Sequence, residues 1–113
     1  MCGIFGGVLD SKETQNCLNH LHRGNDGTNI VEWKEHGVSF GFMRHSIIAP
    51  DDINSMQPII SDNGKTALVM NGEIFNYQDI KKDLLEKGFT FKSQGDAEVL
   101  LNLYKSKGDH FCD

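Results

Sequence analysis

The sequence has 113 residues, the size of one small domain, with 38% hydrophobic and 24% charged residues, ordinary values for a globular chain. Sixteen acidic against 11 basic residues give a net charge of −5, which argues against nucleic acid or an anionic membrane as partner, since both call for a basic face. No apolar run approaches the ~20 residues of a membrane span, and the start lacks the basic n-region and long apolar stretch of a secretion signal, so the expected place is the cytoplasm.

In chain order, Ile4, Phe5, Val8 and Leu9, interrupted by Gly6 and Gly7, predict a buried first strand. Glycines at such a place suggest that something must approach the backbone closely. Asp10 or Ser11 can cap a helix carrying Cys17, Leu18 and Leu21 on one stripe and stopping near Gly24. His22 to Gly27 is a polar loop. Thr28–Glu35 and Val38–Ile48 predict two strands joined at His36-Gly37. Arg44 is the odd member of the second, and either pairs with an anion or extends its guanidinium to solvent. A loop over 49–57 leads to a hairpin, Ile59-Ile60 and Thr66–Met70, turning at Asp62-Asn63-Gly64. Asn76 can cap a helix to about Lys87, with Ile80, Leu84 and Leu85 inward and Gly88 as its stop. Phe89–Phe91 suggests a short strand, and Ala97–Ser106 a last helix with Val99, Leu100, Leu103 and Tyr104 apolar.

Cys2, Cys17 and Cys112 are odd in number and form no C-x-x-C pair, which leaves neither a disulfide framework nor a zinc signature. His20 and His22 lie two apart on a predicted helix and do not share a face, so no metal is expected. Cys2 carries the most chemistry. Removal of Met1 would give one residue both a thiol and a free α-amine, whose pKa of ~7.7–8.0 lies near the working range of a general base. The alternative is a cysteine that merely begins a buried strand.

Six stretches in order resemble the front part of a class II, N-terminal-nucleophile glutamine amidotransferase of the asparagine synthetase branch. They are Met1–Gly6 (MCGIFG), His22–Gly27 (HRGNDG), Arg44–Ile48, Gln57-Pro58, Asn71–Tyr77 (NGEIFNY) and Gly95–Leu101 (GDAEVLL), and their order and rough spacing match along the 113 residues. Asn25 stands where the family usually has proline, and His45 where it usually has leucine. The family's domain is nearly twice this length and is normally followed by an ATP-dependent synthetase domain. The stretch 104–113 resembles a point where the family's domain continues.

The resemblance implies an α+β fold, a four-layer α/β/β/α sandwich of which this chain supplies the first half. It implies hydrolysis of L-glutamine to glutamate and ammonia through a Cys2 thioester, with ammonia passed to a synthetase or other acceptor. It assigns Cys2 as nucleophile, Asn71 and Gly72 as oxyanion donors, and Arg44 to the substrate carboxylate. Asp96, helped by Glu73, would hold the substrate ammonium, and His45, Ser46, Ile47 and Ile48 would line the pocket by their backbones. No cofactor is implied here; ATP and magnesium belong to the synthetase domain. Half a sandwich leaves edge strands and an open apolar face, so the chain alone should be marginal unless it forms a homodimer or is part of a longer protein. Two other readings are a non-catalytic binding module that keeps the sequence, and a self-processing hydrolase acting on another amide. The Arg44/Asp96 pair suits an amino-acid substrate better than the latter.

Overall fold

The computed structural model describes residues 2–21, 27–45 and 55–113. The expectations for residues 22–26, for Ser46, Ile47 and Ile48, and for the loop up to Asn54 lie outside the described residues. The fold mixes helices with two antiparallel sheets.

Strand β1 (Gly3–Gly7), helix α1 (Ser11–Asn19), and strands β2 (Thr28–Trp33) and β3 (Val38–Met43) form the first unit. The sheet order is β1-β3-β2, with Gly3 opposite Met43 and Thr28 opposite Met43 on the other side. Helix α1 starts where the sequence offers a reciprocal cap: the Glu13 N–H donates to Asp10 Oδ1 at 2.8 Å, and the Asp10 N–H to Glu13 Oε2 at 3.0 Å. It stops at Asn19, well before Gly24, with the His20 ring on the Asn16 carbonyl and the Leu21 N–H on Leu18 O. Leu18 is fully buried between helix and sheet. A Cβ at Gly41 would lie 2.6 Å from Leu18 Cδ1 and 2.9 Å from Thr14 Cγ2, so the absent side chain of Gly41 is what lets α1 sit down on β3. The Thr14 and Ser39 hydroxyls meet beneath the helix.

The opposite face of this sheet carries Ile4, Val31, Trp33, Val38, Phe40 and Phe42, with Trp33 and Phe40 edge-to-face at 5.6 Å. Of these only Phe42 is buried. The first strand is therefore not the buried element its composition suggests: Ile4 is 39% and Val8 81% exposed. Gly6 lies under the Phe40 ring, where a Cβ would come within 2.7 Å, so its smallness serves this packing.

The second unit comprises the hairpin β4 (Ile59–Ile60) and β5 (Ala67–Leu68) and the helices α2 (Tyr77–Glu86) and α3 (Asp96–Lys107), followed by a 3₁₀ turn at Gly108–His110. The hairpin turns where expected, with Gly64 at φ +68 and its N–H on Ser61 O. Asn76 precedes α2 without making a side-chain cap bond. Gly88, at φ +89, ends α2 with paired bonds from its own N–H to Leu85 O and from Phe89 N–H to Leu84 O. Leu84 and Val99 are fully buried where α2 and α3 pack together, but Leu85 points outward, 52% exposed. On α3 the buried residues are Asp96, Ala97, Glu98, Val99, Leu101 and Asn102; of the expected apolar set Val99 is buried, while Tyr104 is 38% exposed.

No strand forms at 89–91. Side chains of α3 take the polar groups a ladder would need: Asn102 Nδ2 donates to Thr90 O at 3.2 Å, and Glu98 accepts the N–H groups of Lys92 and Ser93. Among the described residues the four layers of a sandwich are not completed.

Candidate functional site

One cavity of about 340 Å³ opens between the two units, within the range of small-ligand clefts. From the first unit it is lined by Cys2, which precedes β1, and by Phe42, Arg44 and His45 at the end of β3. From the second it is lined by Asn71, Gly72 and Glu73 after β5 and by Gly95, Asp96 and Ala97 at the start of α3. Every described residue assigned a site role from sequence borders this one space. Ser46, Ile47 and Ile48 lie outside the described residues.

Strand register explains the first cluster. Because Gly3 pairs with Met43, Cys2 falls beside the residues that follow β3, and its sulfur sits against the His45 backbone. The thiol donates to His45 O at 3.4 Å, and the His45 N–H donates to Sγ at 3.3 Å. Arg44 follows the last strand residue, its N–H on Gly27 O at 2.8 Å. Its side chain is half-buried, and Nη2 donates to Ser55 Oγ at 3.0 Å, so the fork is oriented and not left to solvent.

The second cluster is set by α3. Asp96 is 8% exposed in the first helical turn, where the helix dipole favours a negative charge. Its Oδ2 accepts the Ile74 N–H at 2.8 Å, which ties the turn 71–74 to the helix. Asn71, Gly72 and Glu73 are exposed on that turn, and a Cβ at Gly72 would meet nothing within 4 Å.

Sequence reasoning gave no role to Ser55 or Gln57, which also line the cavity. Ser55 is close to Gly95, whose added Cβ would fall 3.4 Å from Ser55 Cβ, and nothing in its local sequence marks it. Gln57 was visible in the Gln57-Pro58 pair, the one signal that could have found it. A second cavity of about 390 Å³ between β4 and α3 is larger, but its lining includes Asp62, Lys92 and Lys105 and holds no cysteine. No group of three or more His, Cys, Asp or Glu side chains suited to a metal occurs among the described residues. Nor is any helix among them long and apolar enough to cross a membrane.

The glutamine amidotransferase domain family matches the chain over residues 1–113. Asparagine synthetase [glutamine-hydrolyzing] 2 of Bacillus subtilis is 33% identical, with 100% of this chain and 16% of the relative covered. A probable asparagine synthetase [glutamine-hydrolyzing] of Dictyostelium discoideum is 34% identical over 98% of this chain and 21% of its own length. The isomerizing glutamine–fructose-6-phosphate aminotransferase of Thermococcus kodakarensis is 37% identical over 74% of this chain and 12% of its own. The chain thus spans between about one-eighth and one-fifth of these relatives. A match along all 113 residues, to the family and to asparagine synthetases alike, makes this chain a member of the class II glutamine amidotransferase family, corresponding to an N-terminal part of it.

Proposed function

We propose that the chain is the glutamine-hydrolysing part of an asparagine synthetase-like protein. The observation that supports it most is the single cavity bordered by a thiol, an amide–glycine pair, an arginine and an aspartate. With Met1 removed, the α-amine of Cys2 accepts the thiol proton, and sulfur attacks the side-chain amide carbon of L-glutamine. The proton returns to the departing nitrogen, ammonia leaves, and a glutamyl thioester remains for water to hydrolyse. The oxyanion formed in each half is met by the Asn71 side-chain amide and the Gly72 N–H; one such donor is typically worth about 3–4 kcal/mol in the barrier. Arg44 grips the substrate carboxylate as a bidentate fork, and Asp96, with Glu73 nearby, holds the ammonium.

The part-exposed sheet face around Trp33 and Phe40 suits a fold in which a further sheet completes the four-layer sandwich, in the same protein or by pairing of two copies. Ammonia then passes to a synthetase or other acceptor, and ATP and magnesium act there. The residues assigned to glutamine need no cofactor for the steps given.

The experiment uses the full-length gene product. Intact mass should show loss of Met1, and a diazoketone analogue of glutamine should add to Cys2 and not to Cys17 or Cys112. Cys2→Ala should abolish ammonium release from glutamine. Folded protein with a free Cys2 amine that neither takes the label nor releases ammonium would overturn the proposal.

A further inference from the structure

Strand β5 ends at Leu68, and the chain from Val69 to Phe75 belongs to no ladder. Its two ends are nevertheless held. The Met70 N–H donates to Gln57 Oε1 at 2.5 Å, and the Ile74 N–H donates to Asp96 Oδ2 at 2.8 Å. Both acceptors are buried, Gln57 at 7% and Asp96 at 8% exposure, while the three residues between the anchors, Asn71, Gly72 and Glu73, are exposed. A buried acceptor in low dielectric holds its donor firmly, because an orphaned N–H there costs about 1–3 kcal/mol. A turn pinned at residues 70 and 74 has little freedom left at 71 and 72. Asp96 would have a direct task toward substrate; Gln57 has none assigned.

We propose that Gln57 is a positioning residue: its buried carboxamide fixes Met70 and so presents the Asn71 amide and the Gly72 N–H to the developing oxyanion. This rests on the glutaminase reading above. A donor displaced by a fraction of an ångström loses transition-state stabilisation while leaving the grip on the substrate termini unchanged, since Arg44 and Asp96 stand on other elements.

The test is Gln57→Met, which keeps length and removes the acceptor, against Gln57→Glu, which keeps an acceptor oxygen, both in the full-length gene product. Complete loss of one oxyanion donor costs about 10²–10³ in kcat. Q57M should therefore lower kcat for glutamine about 10–100-fold, with KM within about threefold and unchanged alkylation of Cys2 by iodoacetamide. Q57E should recover most of that loss. In the wild type, Met70 N–H should exchange with solvent deuterium at least about 100-fold more slowly than Gly72 N–H. A folded Q57M with kcat within about threefold of wild type overturns the inference, as does a Q57E no better than Q57M. Should Q57M fail to fold, a Met70 amide that exchanges as fast as Gly72 overturns it. A wild type that releases no ammonium sinks the glutaminase reading itself, an outcome separate from all of these.

Discussion

Glu98 is the buried charge on which the geometry at the start of α3 depends. Its carboxylate, 9% exposed, accepts the Ser93 N–H at 2.7 Å, the Ser93 hydroxyl at 2.6 Å and the Lys92 N–H at 2.9 Å. Ser93 is itself 2% exposed, so its two donors have no water to turn to when the acceptor goes. Hydrogen bonds to a charged group contribute about 1.5–3 kcal/mol each, and an orphaned buried donor costs about 1–3 kcal/mol. Lys92 N–H lies nearer solvent and recovers part of its loss, so Glu98→Ala should destabilise by about 2–5 kcal/mol. Glu98→Gln retains one acceptor oxygen but faces an N–H with its own amide protons, and should cost about half as much. Urea unfolding of the folded gene product measures both. A cycle with Ser93→Ala should return a coupling of at least about 1 kcal/mol, because the lost hydroxyl no longer needs satisfying. A cost below about 1 kcal/mol for Glu98→Ala, or Gln and Ala variants of equal stability, would refute this role for the carboxylate.

Gly41→Ala should destabilise by about 1–3 kcal/mol through overpacking, since the new methyl meets fully buried Leu18 at 2.6 Å; a thermal midpoint unchanged from wild type would contradict that packing. The Lys92–Asp62 pair, 2.7 Å apart and well exposed, offers a pH test. The hydrogen bond from Lys92, and then its charge, hold the Asp62 carboxyl below its usual pKa, and the same contact raises Lys92. Asp62 thus stabilises the fold above the ordinary carboxyl pKa and loses that contribution as pH falls through its lower folded value. Lys92 contributes below its ordinary pKa and loses that as pH rises through its raised one. NMR titration should show the Asp62 midpoint rising toward the ordinary value in Lys92→Met, with the unfolding midpoint at neutral pH scarcely moved, as expected of a solvent-screened pair. An Asp62 midpoint indifferent to Lys92→Met argues against the contact.

Local chemistry was legible where it was self-contained. Asp10 with Glu13 announces a capped helix, Asn63-Gly64 a hairpin, and Gly88 a helix stop, since each satisfies its own backbone groups within a few residues. What failed depended on partners far along the chain. Phe89–Phe91 has strand composition, yet Asn102 and Glu98 claim the groups at Thr90, Lys92 and Ser93. Leu85 has core composition but faces out, and Gly6 is small because of the distant Phe40. For the site, motif order singled out Cys2, Asn71, Gly72 and Asp96 but gave no hint of the Ser55 bond to Arg44 or the Gln57 bond to Met70. Both are side-chain contacts without local periodicity.

The cavity's walls come from two separately built halves. Thiol and guanidinium ride with the three-stranded sheet; the amide, the glycine and the aspartate ride with the hairpin and α3. Phe42, Ile59 and Ala97 also face the cavity at this seam, so the spacing across it depends on apolar packing as well as on the reacting groups. Sliding one half past the other by about one ångström would leave every helix and strand intact while removing the alignment that the proposed hydrolysis requires.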